Sequence, residues 1–299
     1  MLLIVSFFSF ALASISPTDP ARAVLGPLAT NEQVAAKRVE MHVDDPLLRQ
    51  YGRWLGNAVH GDFGVAYIGG ASVSNQLNSR IGATASLLLV TILFVLVGGV
   101  ALGVVASVRG GAVGRIVSGV STLGLALPSF WIALVLTTLF AVKWRLFPVF
   151  GYVPIGQDPW EWFRSLVLPA FAVSLGGIAA LAAQTRAAML EALSKDFTRV
   201  MQANGIPMRS IVYRHALRNA AIPIVTILGV ITVTLLGGAV VIEGIYGIPG
   251  LGSLAVSATA QGDLPLIQGA VVYFTLIVIV VGLLVDISYS VLDPRVRVR

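Results

Sequence analysis

Residues 83–108 read ATASLLLVTILFVLVGGVALGVVASV, a run with no charged side chain anywhere in it. At 1.5 Å per residue a helix of that length is longer than the roughly 30 Å hydrocarbon core of a bilayer. Four further apolar stretches follow: Val113 to Val142, Leu166 to Ala183, Ala220 to Ile242 and Leu264 to Val291. Each has about the 17 to 25 residues that a tilted membrane helix needs. The whole composition agrees, with 57% hydrophobic and only 11% charged residues and a mean hydropathy of +0.88. A soluble domain carries about 25% charged residues. The expected fold is therefore all-α, a polytopic membrane helix bundle.

A shorter apolar stretch, residues 1–15, reaches only about 22 Å as a helix. Its Ala11-Leu12-Ala13 resembles a signal-peptide cleavage site, but the basic n-region is missing. The expectation is a first membrane helix whose beginning is clipped, making about six spans. With the N-terminus inside, eleven bases fall in cytoplasmic segments against three acids, Glu191, Asp196 and Asp293. The external segments hold nine bases and ten acids. That asymmetry follows the positive-inside bias and places the C-terminus in the cytoplasm. It also explains the net charge of +6 without nucleic acid as a partner.

Three parts follow from this pattern: the first helix (1–15), an external subdomain (16–82) and a five-helix core (83–299). The subdomain mixes charges with Tyr51, Trp54, Phe63 and Tyr67, the composition of a folded unit rather than a disordered linker. Asp45 to Asn57 reads as an amphipathic helix with Leu48, Tyr51 and Leu55 on one face. Trp144, Trp160 and Trp162 in residues 143–165 suit an interfacial aromatic belt. Glycines inside the apolar stretches, Gly98-Gly99, Gly103, Gly176-Gly177 and Gly237-Gly238, read as helix-packing positions. Pro128, followed by Ser129-Phe130-Trp131, is expected to kink its helix, and Pro128 and Trp131 are candidates for the translocation path or gate.

The segment 186–223 is too polar to span and too patterned to be a plain connector. Arg186 to Asn204 reads as a helix continuing out of a span. Gly205-Ile206-Pro207 breaks it, glycine permitting a left-handed cap and proline opening the next helix. Met208 to Ala221 reads as the second helix, with Ile211, Ala216 and Leu217 apolar and Arg209, Arg214, His215 and Arg218 exposed.

These residues resemble a known family. Glu191-Ala192, Gly205 and His215-Ala216-Leu217-Arg218-Asn219-Ala220-Ala221-Ile222-Pro223 look like the EAA loop of ABC importer permeases, in the version of the peptide and nickel transporters. The match continues in order through Gln50-Tyr51, Trp54-Leu55, Gly61-Asp62-Phe63-Gly64, Pro128 to Trp131, Val241-Ile242-Glu243, Pro249-Gly250-Leu251-Gly252, Asp263-Leu264-Pro265 and Asp293-Pro294-Arg295. The short first span and Thr18-Asp19-Pro20, where the family has Gly-Asp-Pro, depart from it. The resemblance implies a B-type permease paired with a C-type partner, two ATPase subunits and an external binding protein. ATP and Mg would lie on the ATPase subunits, and the Gly205 segment would be the coupling helix. Cargo in this family includes dipeptides, oligopeptides, nickel, glutathione and haem, with peptide the first choice here.

No phosphate-binding loop is present, since Lys37, Lys143 and Lys195 follow Ala36, Val142 and Ser194 rather than glycine. Cysteine is absent and the three histidines are too dispersed for a metal site or triad. An intramembrane enzyme or proton-coupled carrier would need buried charges, and the spans offer essentially Asp286. A path or gate role for Asp286 and a structural hydrogen bond to Tyr289 or a neighbouring helix both stand open.

Overall fold

The computed structural model describes residues 1–14, 19–26 and 28–292. Asp293-Pro294-Arg295, the C-terminal arginines and Thr18 lie outside the described residues. Two compact units emerge, formed by the described residues of Met1–Thr84 with Ile248–Val278, and of Ala85–Gly247 with Ile279–Arg299. Residues 248–278 thus group with the N-terminal part rather than with the rest of 83–299.

In the first unit, short helices are started by side chains that satisfy free backbone donors. Asp19 caps α2 (Pro20–Leu25) by accepting from the Ala21 amide, with Pro20 preset for the first turn. Thr30 and Gln33 form a reciprocal capping box on α3 (Asn31–Glu40). The amphipathic helix α4 (Leu47–Ala58) lies against α1 (Leu2–Ser14) through rings: Phe7 and Phe10 meet Tyr51 at 5.2 and 5.7 Å, and Tyr51 stacks on Trp54 at 5.9 Å. The chain of rings continues from Trp54 to Phe63 and from Phe63 to Tyr273. The expected face is corrected at one position, for Leu48 is 71% exposed and Trp54 takes the inward place.

The core beneath these rings joins Phe63, Val73, Leu77, Leu251, Leu254 and Leu266. It is contributed by the start of α5 (Val73–Arg109), by α12 (Leu251–Gln261) and by the start of α13 (Leu264–Leu292). Buried polar groups lock the same elements. Asp263 caps α13 by accepting from Leu266 N–H and also accepts from Ile68 N–H at 3.2 Å. Thr84 Oγ1 accepts from Leu251 N–H at 2.8 Å.

The second unit is built around α8 (Pro159–Ser194), started by Asp158 accepting from the Trp160 and Glu161 amides. In its most apolar window 61% of residues are buried, against 11% in α13, so α8 is central and α13 leaves most of its apolar surface for lipid or another subunit. The α5–α8 contact depends on glycine: a Cβ on Gly103 would stand 2.5 Å from Thr185 Cβ and 2.7 Å from the Ala182 carbonyl. The packing role expected for Gly99 and Gly103 is the one they have, whereas nothing lies within 4 Å of a Cβ on Gly237.

Among the described residues, four helices are long and apolar enough to cross a membrane: Val73–Arg109, Pro159–Ser194, Met208–Tyr246 and Leu264–Val291. Leu2–Leu12 and Ser129–Lys143 are shorter apolar helices. The expected kink at Pro128 is a break. Helix α6 (Gly111–Ala126) ends where Leu127 becomes extended, ψ 128°, as a residue preceding proline prefers. α7 (Ser129–Leu136) then starts anew and passes into a π-helical stretch, Thr137–Lys143.

Candidate functional site

The segment 186–223 resolves into rigid pieces. α8 runs to Ser194, Lys195 turns out of helix at ψ 151°, and α9 (Asp196–Ala203) follows. The single helix expected over Arg186 to Asn204 is therefore interrupted. Thr198, 3% exposed, donates its hydroxyl to the Ala192 carbonyl at 3.3 Å, an acceptor it shares with the Lys195 N–H at 3.4 Å.

α9 closes on a Schellman turn. Gly205 N–H donates to the Gln202 carbonyl and Ile206 N–H to the Met201 carbonyl, both at 3.0 Å, with Gly205 at φ +75°. No atom lies within 4 Å of a Cβ placed there; the requirement for glycine is conformational, not steric. Pro207 stands at the N-cap rather than in the first turn. α10 (Met208–Ser210), a π-helical stretch (Ile211–Ala216) and α11 (Leu217–Tyr246) then run on without interruption. The second helix does not stop at Ala221; it is the start of a span, with Pro223 inside it. Asn219 Nδ2 donates to the His215 carbonyl at 2.9 Å, where the π-helical register gives way to α.

The two sides of this segment differ. Ala192, Ile211, Val212, Ala216 and Ala220 are buried. Glu191, Gly205, Pro207, Arg209, Arg214, Arg218 and Asn219 are exposed, and His215 and Ile206 are half-buried rather than free. Glu191 pairs with Lys195 at 3.2 Å across one turn. Three apolar side chains stay in the open: Val200, Met208 and Tyr213 are 58%, 43% and 64% exposed. These exposed apolar groups stand among arginines on a rigid turn.

Pro128 and Trp131 sit together at the start of α7, both exposed, with Trp131 N–H donating to the Pro128 carbonyl at 3.1 Å. Asp286 is exposed on α13, and among the described residues it makes no hydrogen bond or ion pair. Tyr289 donates to Thr226 Oγ1 at 2.8 Å instead, which removes the expected Tyr289 partner. No hydrogen bond, ion pair or ring contact among the described residues joins Asp286 to Pro128 or Trp131.

Sequence reasoning missed a polar node at the far end of α11. Tyr246, 2% exposed, donates to the Ala133 carbonyl at 3.2 Å and accepts from Thr137 Oγ1 at 2.9 Å, where the π-helical stretch begins. Glu243, one turn earlier, is fully buried, as is Asp263. The signal for Asp263 was present, an acid just before Leu264-Pro265 at a helix start. Glu243 follows directly on the apolar run that ends at Ile242, and nothing in the local pattern marked it as buried.

Long apolar helices joined by a rigid polar turn are the make-up of a membrane bundle rather than of a soluble domain. Residues 99–298 match the family described as binding-protein-dependent transport system inner membrane component, and residues 1–88 match its N-terminal companion. The chain belongs to that family, the membrane components of ABC importers, and is a multi-pass inner membrane permease, not an enzyme. A relative in Brucella abortus (strain 2308), named for a peptide transport system permease, is 39% identical over 99% of this chain and 95% of its own. The glutathione transport system permease protein GsiC of Escherichia coli (strain K12) is 32% identical over 100% of this chain and 95% of its own. The solved MetNI methionine ABC transporter contains a chain of like fold, with TM-score 0.59 and 18% identity over 73% of this chain and 96% of that one.

Proposed function

We propose that this chain forms half of the translocation path of an ATP-driven peptide importer. A C-type permease is the other half, two ATPase subunits bind ATP and Mg, and an external binding protein delivers dipeptides or oligopeptides. Residues 16–82 face outward, and the C-terminus and the segment 186–223 face the cytoplasm, as the distribution of basic residues favours. Glu191, Ala192, Gly205, Ile206, Pro207, Arg209, Arg214, His215, Arg218 and Asn219 belong to the coupling element. ATP-driven closure of the ATPase pair moves that element, and the bundle passes between inward-open and outward-open states.

The observation that carries the proposal is the Schellman turn at Gly205. It holds α9 and the start of the α10–α11 rod in a fixed relation, so displacement of the docking face is transmitted to a span instead of being absorbed. Relatives named for peptide transport support the cargo. The glutathione permease supports a second reading within the same class, glutathione being itself a small peptide.

The test is the reconstituted complex with its binding protein, assayed for Ala-Ala uptake and stimulated ATP hydrolysis. Gly205→Val forces a β-branched residue to positive φ, at a cost of about 1–2 kcal/mol or more, and is expected to remove uptake while the complex still assembles. Gly205→Asn, which tolerates that conformation, is expected to retain most of it. Wild-type uptake in Gly205→Val would sink the coupling assignment. Uptake of labelled glutathione in the same preparation without uptake of Ala-Ala would move the cargo to the second reading.

A further inference from the structure

One helical rod runs from Met208 to Tyr246, 39 residues, about 58 Å at 1.5 Å per residue. The Gly205 turn lies immediately before it, and its last residue is fixed by side chain and backbone together. The Tyr246 hydroxyl donates to the Ala133 carbonyl at 3.2 Å and accepts from Thr137 Oγ1 at 2.9 Å. The Tyr246 carbonyl accepts from Gly151 N–H at 2.8 Å. Beside it, the Phe150 ring fills the space that a Cβ on Gly247 would take.

These contacts hold two things at once. The first is the change from α to π register at Thr137, which opens the stretch Thr137–Lys143; such stretches are rare and recur at functional sites. Thr137 Oγ1 also lies 2.8 Å from the Ala133 carbonyl of its own helix. Its single proton serves either that carbonyl or Tyr246, so Thr137 has a partner whether or not the two helices are tied. The second is the segment 144–158. Arg164 on α8 donates to the Leu146 carbonyl at 2.9 Å, and the hydroxyls of Tyr152 and Ser86 on α5 are hydrogen-bonded at 3.1 Å. With the Gly151 bond, the segment straps α5, α8 and the end of α11 together.

We infer that Tyr246 is a positioning residue for transport: its hydroxyl ties the end of the rod to the π register of α7, and movement of the rod breaks that tie. The inference rests on the proposed coupling role of the Gly205 turn. The rod is longer than the roughly 30 Å hydrocarbon core, so with that turn in the cytoplasm the tie lies at the external end. Closure of the ATPase pair pulls on one end of the rod and frees the π stretch and its strap at the other. A local acceptor waiting for Thr137 makes α7 an element with two arrangements, which is what a transmitted movement needs to act on.

Ala141, 4% exposed within the π stretch, supplies a reporter in a chain without cysteine. The assembled complex carrying Ala141→Cys is placed in nanodiscs and treated with a small water-soluble methanethiosulfonate, and the mass of this chain is followed in time. Reaction is expected to be about fivefold faster after trapping with ATP and vanadate than without nucleotide, the shift set by one hydrogen bond of ordinary strength. Adding Tyr246→Phe should make reaction fast in both states and lower uptake per ATP hydrolysed, with the amount of assembled complex unchanged. Thr137→Val, which leaves Tyr246 only the Ala133 carbonyl, should fall between, and Thr137→Ser should restore the wild-type pattern. Equal rates with and without trapping, a nucleotide response untouched by Tyr246→Phe, or loss of assembly in both Tyr246→Phe and Thr137→Val would overturn the inference. Gly205→Val in the same background separates the two claims. A response lost there but kept in Tyr246→Phe rejects the tie and keeps the coupling turn, whereas a response kept there but lost in Tyr246→Phe keeps the tie and rejects the turn.

Discussion

Arg38 holds two carboxylates, donating to Asp19 at 2.9 Å and to Asp44. Burial raises the Asp19 carboxyl, but the hydrogen bonds from Arg38 and the Ala21 amide, with the Arg38 charge, bring it below its ordinary value. The Asp44 carboxyl is lowered chiefly by its hydrogen bond from Arg38. A carboxyl lowered on folding contributes stability that is present above its unfolded pKa, about 4, and is lost as pH falls through its folded value. Acidification from pH 7 to pH 3 should therefore lower the melting temperature of wild type more than that of Arg38→Gln, with the difference small because these pairs are solvent-accessible. Equal losses in the two proteins would show that the pairs contribute nothing. Asp286 stands differently, on a long apolar helix and without a described partner. Asp286→Asn is expected to leave the amount of assembled complex unchanged and to alter uptake or basal ATP hydrolysis, both measured in one preparation. Parallel loss of assembly and uptake would restore a purely structural role.

At the scale of elements, legibility depended on whether a boundary was marked by a special residue. Gly205 and Pro207 announced their turn because glycine and proline have distinctive backbone preferences. The break at Lys195 had no such mark; it is held by the Thr198 hydroxyl, a bond that follows from the fold rather than from residue type. The continuity of α11 through Pro223 was also hidden, because proline ends most soluble helices, yet membrane helices tolerate it. Apolar glycines were legible as packing positions in general but not which of them pack. Gly103 and Gly237 make a direct test of that difference. Gly103→Ala puts a methyl group within 2.7 Å of a backbone carbonyl and is expected to destabilise by about 1–3 kcal/mol, read as a lower melting temperature of the solubilised complex. Gly237→Ala meets open space and should be neutral or slightly stabilising; equal effects at the two positions would refute the close approach of α5 and α8.

For the whole molecule, the apolar runs and the charge asymmetry were enough to specify a multi-pass bundle, whereas the grouping of residues 248–278 with the N-terminal part was not readable. That grouping depends on contacts such as Ile68 to Asp263 and Ser6 to Gln268, 195 and 262 positions apart, which no local pattern encodes. Orientation is the global property that the proposed mechanism most needs, since that mechanism has residues 16–82 outside and the turn at Gly205 in the cytoplasm. The chain has no cysteine, so single cysteines report without background. Thr30 lies at the N-cap of α3 and Ser210 ends α10, next to the docking turn. Intact cells treated with a membrane-impermeant maleimide should label Thr30→Cys and spare Ser210→Cys, while permeabilised cells should label both. Because Thr30 caps a helix, loss of its hydroxyl weakens that helix by about 1 kcal/mol, which favours reagent access rather than hiding it. Labelling of Ser210→Cys alone in intact cells would invert the topology and, with it, place the Gly205 turn on the side where no ATPase could reach it.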